Sequence, residues 1–171
     1  PQAEPREHFY MEGMDIEPAK GHVSRTDYLG FVSGVALDGV NNLYMNISWT
    51  FPSYTDDVAN ALAMFMDGGG NVMIAGQDVG WDQSGQTGSY GTPVTQAFYT
   101  DYLLADFVDD GSVADDQAIF DPSDAVFANV PGCGLIDPFG GAMYPDRFDP
   151  IAPAVPIVRY DNVKIGGLLA E

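Results

Sequence analysis

Apolar residues recur at helical spacing most clearly between positions 58 and 66. Val58, Ala61, Leu62, Phe65 and Met66 fall three or four residues apart and line one stripe of a helix. Ser53 or Thr55 can cap its start, and Asp56 and Asp57 suit the positive end of its dipole. Gly68-Gly69-Gly70 ends it by supplying left-handed backbone. Val72-Met73-Ile74-Ala75 follows as a wholly apolar run, the pattern of a strand covered on both faces. Leu43 to Trp49 alternates like a strand and stops at Phe51-Pro52. Helix, glycine turn and apolar strand together make half of a βαβ unit.

Elsewhere the pattern is weaker. Tyr28 to Leu37 is apolar but broken by glycine, which fits a strand or a loosely packed segment. Thr92-Pro93 is a good helix start, and Val94, Ala97, Phe98, Tyr102 and Ala105 share one face of the helix it predicts, up to a break at Asp109-Asp110-Gly111. Gln117 to Phe120 and Val155 to Tyr160 read as short strands, while residues 121–154 read as mostly irregular. Residues 1–27 are polar, with Pro5, Pro18 and Gly21, and read as an extended lead-in to a single α/β domain over 28–171. The chain opens without Met, and residues 165–171 show no closing element, so it reads as a piece of something longer.

Charge changes the picture. Six basic residues against 25 acidic ones leave a formal charge of −19. That excludes nucleic-acid binding by phosphate neutralisation and polybasic attachment to membranes. No apolar run is long enough to span a bilayer. Between Arg25 and Arg147 there are seventeen Asp and no Glu, Lys or Arg. This stretch has no side-chain salt bridges of its own to offer, so its carboxylates are expected to be hydrated, bonded to backbone N–H groups, or matched by solvent cations. Such acidity fits a secreted or cell-surface protein in which other domains of the same parent, or extracellular molecules, are the partners. Cys133 is the one cysteine, which rules out an internal disulfide and is expected to be a small buried thiol.

The segment Asp67-Gly68-Gly69-Gly70-Asn71-Val72-Met73-Ile74-Ala75-Gly76-Gln77-Asp78-Val79-Gly80-Trp81 resembles the class I glutamine-amidotransferase-like, flavodoxin-like domains of large secreted bacterial proteins. Trp49-Thr50-Phe51-Pro52, Phe98 to Leu103, Tyr144-Pro145-Asp146 and Ile157 to Tyr160 are similar too, so the likeness runs over roughly residues 40–165. It implies a three-layer α/β fold with a largely parallel sheet and helices on both faces, which the open ends of the chain would leave truncated. Catalytic relatives present a nucleophilic Cys in a Gly-x-Cys-x-Gly elbow, followed later in the chain by a His. Here the corresponding residues are Gly76-Gln77-Asp78-Val79-Gly80, with Asp78 at the nucleophile position. Both histidines, His8 and His22, precede the elbow. The expected function is therefore a non-catalytic structural or interaction module, with Gln77, Asp78, Trp81 and Asp82 as the residues that would touch a ligand.

Two alternatives compete with that reading. Asp78 can act as base or nucleophile of a hydrolase, alone or paired with Asp82, against the plainer role of accepting N–H bonds in its own turn. A calcium-stabilised adhesive or carbohydrate-binding domain would draw on the acids at 106–116, with Asp109, Asp110, Asp115 and Asp116 as metal candidates, although their spacing is not that of an EF-hand. Zinc lacks its His and Cys ligands. Trp49, Trp81, Tyr90 and Tyr99 can line a carbohydrate or peptide surface, or else belong to the core.

Overall fold

The computed structural model describes residues 28–48, 50–85, 90–125, 127–135, 144–161 and 163–170. It opens with a short helix, α1 (Tyr28–Val32), and a 3-10 turn at Val35–Leu37, where a strand or loose segment was expected. Gly34, at φ 78, turns the chain between the two. His8, His22 and Trp49 lie outside the described residues, as does the lead-in.

The helical stripe behaves as its spacing demands. Strand β1 (Asn42–Ser48), helix α2 (Asp56–Asp67) and strand β2 (Asn71–Gly76) form a complete βαβ unit, with β1 and β2 parallel and in register from Asn42↔Asn71 to Asn46↔Ala75. Thr55 is the N-cap residue of α2, without a side-chain cap bond, and Gly69 turns left-handed at φ 88 beyond its end. Leu62 is fully buried, and with Ile47, Tyr54, Ala59 and Phe98 it makes the main core. Burying such a leucine contributes about 1.5–3 kcal/mol. The strand β2 is not covered on both faces, however. Met73 is 51% exposed and its partner across the pair, Tyr44, is 39% exposed, so one face of this two-stranded sheet is open.

A five-residue helix, α3 (Val79–Gln83), follows β2, and α4 (Pro93–Asp101) follows that. Thr92 caps α4 as its sequence predicts: its hydroxyl accepts the Thr95 N–H while the Thr95 hydroxyl accepts the Thr92 N–H. The helix does not run on to residue 109. It ends at Asp101, and β3 (Ala105–Asp110) begins soon after, with buried and exposed positions alternating through Ala105, Asp106, Phe107 and Val108. Then come β4 (Gln117–Phe120), β5 (Cys133–Gly134), β6 (Asp146–Pro150), β7 (Val155–Arg159) and β8 (Ile165–Leu169). β6 lies within the span expected to be irregular, and β8 occupies the end where no element was expected.

The three-layer, largely parallel, flavodoxin-like sheet is overturned by this second half. Its strands pair antiparallel: β3 with β6, and β5-β4-β7-β8 in one four-stranded sheet. For the β7–β8 pair the chain enforces that choice, because only residues 160–164 separate the two strands. A parallel pairing needs a crossover of a dozen or more residues, whereas a link this short reverses the chain. The parallel βαβ unit of β1, α2 and β2 is not repeated among the later described strands. Cys133 is also exposed instead of buried, because β5 is a two-residue edge strand paired only to β4.

The acidic stretch does find cations. Arg147 pairs with Asp109 through Nε and Nη2, and Lys164 pairs with Asp115, so bases beyond the stretch serve acids within it. Other aspartates accept backbone N–H groups nearby, as Asp121 does from Ser123 and Asp161 from Val163 and Lys164. None of the described helices is long and apolar enough to cross a membrane.

Candidate functional site

β2 ends in a sharp turn into α3, and the left-handed residue of that turn is Asp78 itself, at φ 59 and ψ 28. Aspartate tolerates this conformation better than most residues. Gly80 is needed for a different reason, close approach. A Cβ there would sit 2.6 Å from Tyr99 Oη, 2.8 Å from Phe107 Cδ2 and 3.2 Å from Asp146 Oδ2. The elbow is thus tight where the glycine pattern places it, and its walls are a phenol, a phenyl ring and a carboxylate.

Asp146, the first residue of β6, reaches into the turn from 66 positions away. Its Oδ2 accepts the Gly80 N–H at 2.5 Å and the Trp81 N–H at 3.2 Å. Asp78, although it is the N-cap residue of α3, makes no side-chain cap bond to that helix. The β3–β6 ladder sets Asp110 directly opposite Asp146. The outcome is a group of three carboxylates, Asp78, Asp110 and Asp146, whose nearest oxygens all lie within 4.8 Å of one another. They come from three separate segments: the end of β2, the end of β3 and the start of β6.

The electrostatics follow from burial and like charge. Burial pushes the Asp146 carboxyl up to about 7; the Trp81 and Gly80 N–H groups pull the other way, and the Asp78 and Asp110 charges add to the rise. Two like charges 4.8 Å apart repel by roughly 3.5 kcal/mol at an effective dielectric constant of about 20, and by less where exposed Asp110 meets water. Tyr99, only 3% exposed, has a hydroxyl that makes no hydrogen bond and lies beside Asp146. Burial and then the Asp146 charge hold that phenol far above its usual range, so it stays neutral. Tyr160 also stays neutral, and its hydroxyl donates to the Asp146 carbonyl at 2.9 Å.

The other expected site residues scatter. Gln77 stays half-buried beside the turn, outside the carboxylate group. Trp81 contributes its backbone N–H, while its ring packs edge-on against Phe51 at 5.6 Å. Asp82 is fully buried, bonded to Ser53 and Gln83, and is not one of the three grouped carboxylates. Tyr90 is exposed and stacks on Phe51, whereas Tyr99 belongs to the core. Of the four metal candidates near position 110, only Asp110 joins the group. Asp109 and Asp115 hold ion pairs, and Asp116 accepts the neighbouring Gln117 amide. Asp146 was missed as a site residue; in the sequence it stands out only as part of the Tyr144-Pro145-Asp146 segment. The groove formed by residues 32–41 and 61–70 is remote from this chemistry in its lining and contains none of the three acids. Among known proteins, no family, curated protein or solved structure matches the chain.

Proposed function

We propose that this chain is a structural or interaction module of a larger secreted or cell-surface protein, pinned by a divalent cation at Asp78, Asp110 and Asp146, with calcium the preferred ion. The observation that carries the cation is the convergence of three carboxylates from three segments within 4.8 Å, and the secreted or cell-surface module is what the acidic composition supports. Oxygen-only donors favour hard cations, and the spread suits oxygens ranged around one ion at about 2.4 Å each, the calcium distance. Magnesium draws its ligands closer and demands a stricter octahedron. Exposed Asp110 leaves that side open to water ligands. The neutral Tyr99 hydroxyl beside Asp146 supplies a further oxygen without adding charge. A bound ion would replace mutual repulsion with attraction and tie β2, β3 and β6 together.

A second reading uses the same residues as an acid–base pair, and the observation favouring it is the rise of Asp146 to about 7. Asp146 would serve as acid and Asp78 as base or nucleophile. Tyr99 and Phe107 stand against it, because they occupy the space beside Gly80 and a substrate would have to displace them.

The deciding experiment compares thermal unfolding in EDTA with unfolding in calcium, magnesium or added sodium chloride. Calcium at a hundredfold excess over its Kd should stabilise the fold by about 2.7 kcal/mol. Asp110→Asn should lose that gain. Equal midpoints in calcium and EDTA would remove the cation. Turnover of esters, amides or glycosides that disappears in Asp78→Asn would put the second reading in its place.

A further inference from the structure

The groove that α2 shares with the α1 and 3-10 segment has a volume of about 580 Å³. That lies within the range of ordinary binding pockets, about 300–1,000 Å³. Val35 is 74% exposed and Met64 76%, two of the three most exposed large apolar side chains among the described residues, and both line this one groove. Apolar side chains scattered singly need no explanation, but a pair flanking a cavity marks a contact surface. The core does not account for them. Neither Met64 nor Phe65 is among the residues packed into the main core. With Ala61 and Gly68 they fall at i, i+3, i+4 and i+7, the face that α2 turns to the groove.

Charge says what kind of group would fill it. Asp38 lines the groove and is exposed. The C-terminal end of α2 adds a partial negative charge, and no basic residue stands in its last turn to offset it. No Lys, Arg or His lines the groove. We infer that it docks a segment of a separate partner protein in which apolar side chains alternate with Lys or Arg. The apolar groups cover Val35, Met64 and Phe65, while basic side chains lay their stems along the same walls and hold their charge near Asp38. The inference rests on reading this chain as an interaction module, and not on the cation. The same electrostatics disfavour nearer occupants. A second copy brings its own charge of −19, and residues 1–27 carry three basic residues against six acidic ones.

The test keeps EDTA present throughout, so a failed cation and a failed groove give separate results. A short labelled peptide of alternating leucine and lysine is titrated with the full chain at about 0.15 M salt, where distant charges are screened, and followed by fluorescence anisotropy. It should bind, and peptides with glutamate for lysine or serine for leucine should bind about tenfold more weakly or worse. Met64→Ser should weaken the leucine–lysine peptide about tenfold, and Asp38→Lys at least about threefold. Val163→Ser, which trims a side chain just as exposed but outside the groove, should leave it unchanged. Absence of binding overturns the inference, as does full affinity in Met64→Ser or Asp38→Lys, since the attraction would then be to net charge alone. Nuclear Overhauser contacts of the Met64 methyl in the free chain report other occupants. Contacts to Phe9 or Tyr10 would put the chain's own segment in the groove, and contacts that grow with protein concentration would put a second copy there; either overturns the separate partner.

Discussion

Asp110 and Asp146 stand opposite each other at the end of the antiparallel β3–β6 ladder, two carboxylates on one face of a pair of strands. Like charges in directly opposed positions destabilise a sheet. With an ion present, the same pair becomes a clamp. Asp110→Asn therefore carries opposite signs in two buffers. In EDTA the variant should unfold at a slightly higher temperature than the parent chain. In calcium it should unfold at a lower one, because it gains nothing from the ion. Differential scanning calorimetry of both proteins in both buffers checks the inversion, and a variant weaker in both would deny the repulsion.

Asp146 gives the site a pH dependence with a definite direction. Its carboxyl is raised to about 7 by burial and by Asp78 and Asp110, against the N–H groups of Trp81 and Gly80; neutral Tyr99 and Tyr160 also face it. In the unfolded chain it returns to 3.8. Below that value it is protonated in both states and adds no pH dependence. Between about 4 and 7 the folded state holds the proton and the unfolded state does not, so stability falls as pH rises, and above 7 the loss is complete. In EDTA this group should remove at most about 4 kcal/mol over that window. Urea midpoints from pH 4 to 8 measure it, and the part due to Asp146 should vanish in Asp146→Asn. Calcium must displace the proton, so its affinity should climb over the same window.

Gly80 should resist even the smallest enlargement. An added methyl would meet Tyr99 Oη at 2.6 Å and Phe107 Cδ2 at 2.8 Å, neither of them the free end of a flexible chain. Alanine is favoured over glycine inside a helix by about 1 kcal/mol, but overpacking of this kind costs about 1–3 kcal/mol. Gly80→Ala should lower stability and weaken the Asp146 bonds to α3. Gly134→Ala, whose methyl would meet nothing closer than 3.8 Å, is the control and should be close to neutral. Chemical denaturation of the two variants side by side decides the point.

What could be read from the chain was local. The stripe ending in Leu62, Phe65 and Met66, the Thr92-Pro93 cap and the glycine stop needed only neighbours three or four residues away. The antiparallel half was hidden for the opposite reason. Asp109-Asp110-Gly111 reads as a helix break, but in the fold Asp109 faces Arg147 and Asp110 faces Asp146 across a ladder joining distant segments. Asp78 was found because a turn residue after an apolar strand is a local signal. Asp110 was found only as one of several acids, and Asp146 not at all, since no spacing rule links it to Gly80. The short gap before β8 did carry the information that β7 and β8 could not be parallel neighbours. The expectation of a largely parallel sheet came instead from the resemblance carried by residues 67–81.

Asp115 and Lys164 tie the turn after β3 to the hairpin that leads into β8, and this tie should fail in acid. Burial pushes the Asp115 carboxyl up, but the Lys164 ammonium together with the Ser112 N–H and hydroxyl outweighs it, and the net direction is down. A carboxyl depressed in the folded state adds stability above its unfolded value of 3.8, and that stability is lost as pH falls through the folded value. Lys164→Met leaves a carboxylate that is 3% exposed without its ammonium, at a cost of about 1–3 kcal/mol near neutral pH. With the ammonium gone, only the Ser112 N–H and hydroxyl still oppose burial, so the carboxyl takes up its proton at a higher pH than in the parent chain, and protonation relieves the variant. The gap between Lys164→Met and the parent chain should therefore be widest at pH 7 and close as the buffer falls below about 4. Urea titrations of both proteins across that range measure it, and a gap that stays constant with pH would mean that Lys164 contributes packing alone.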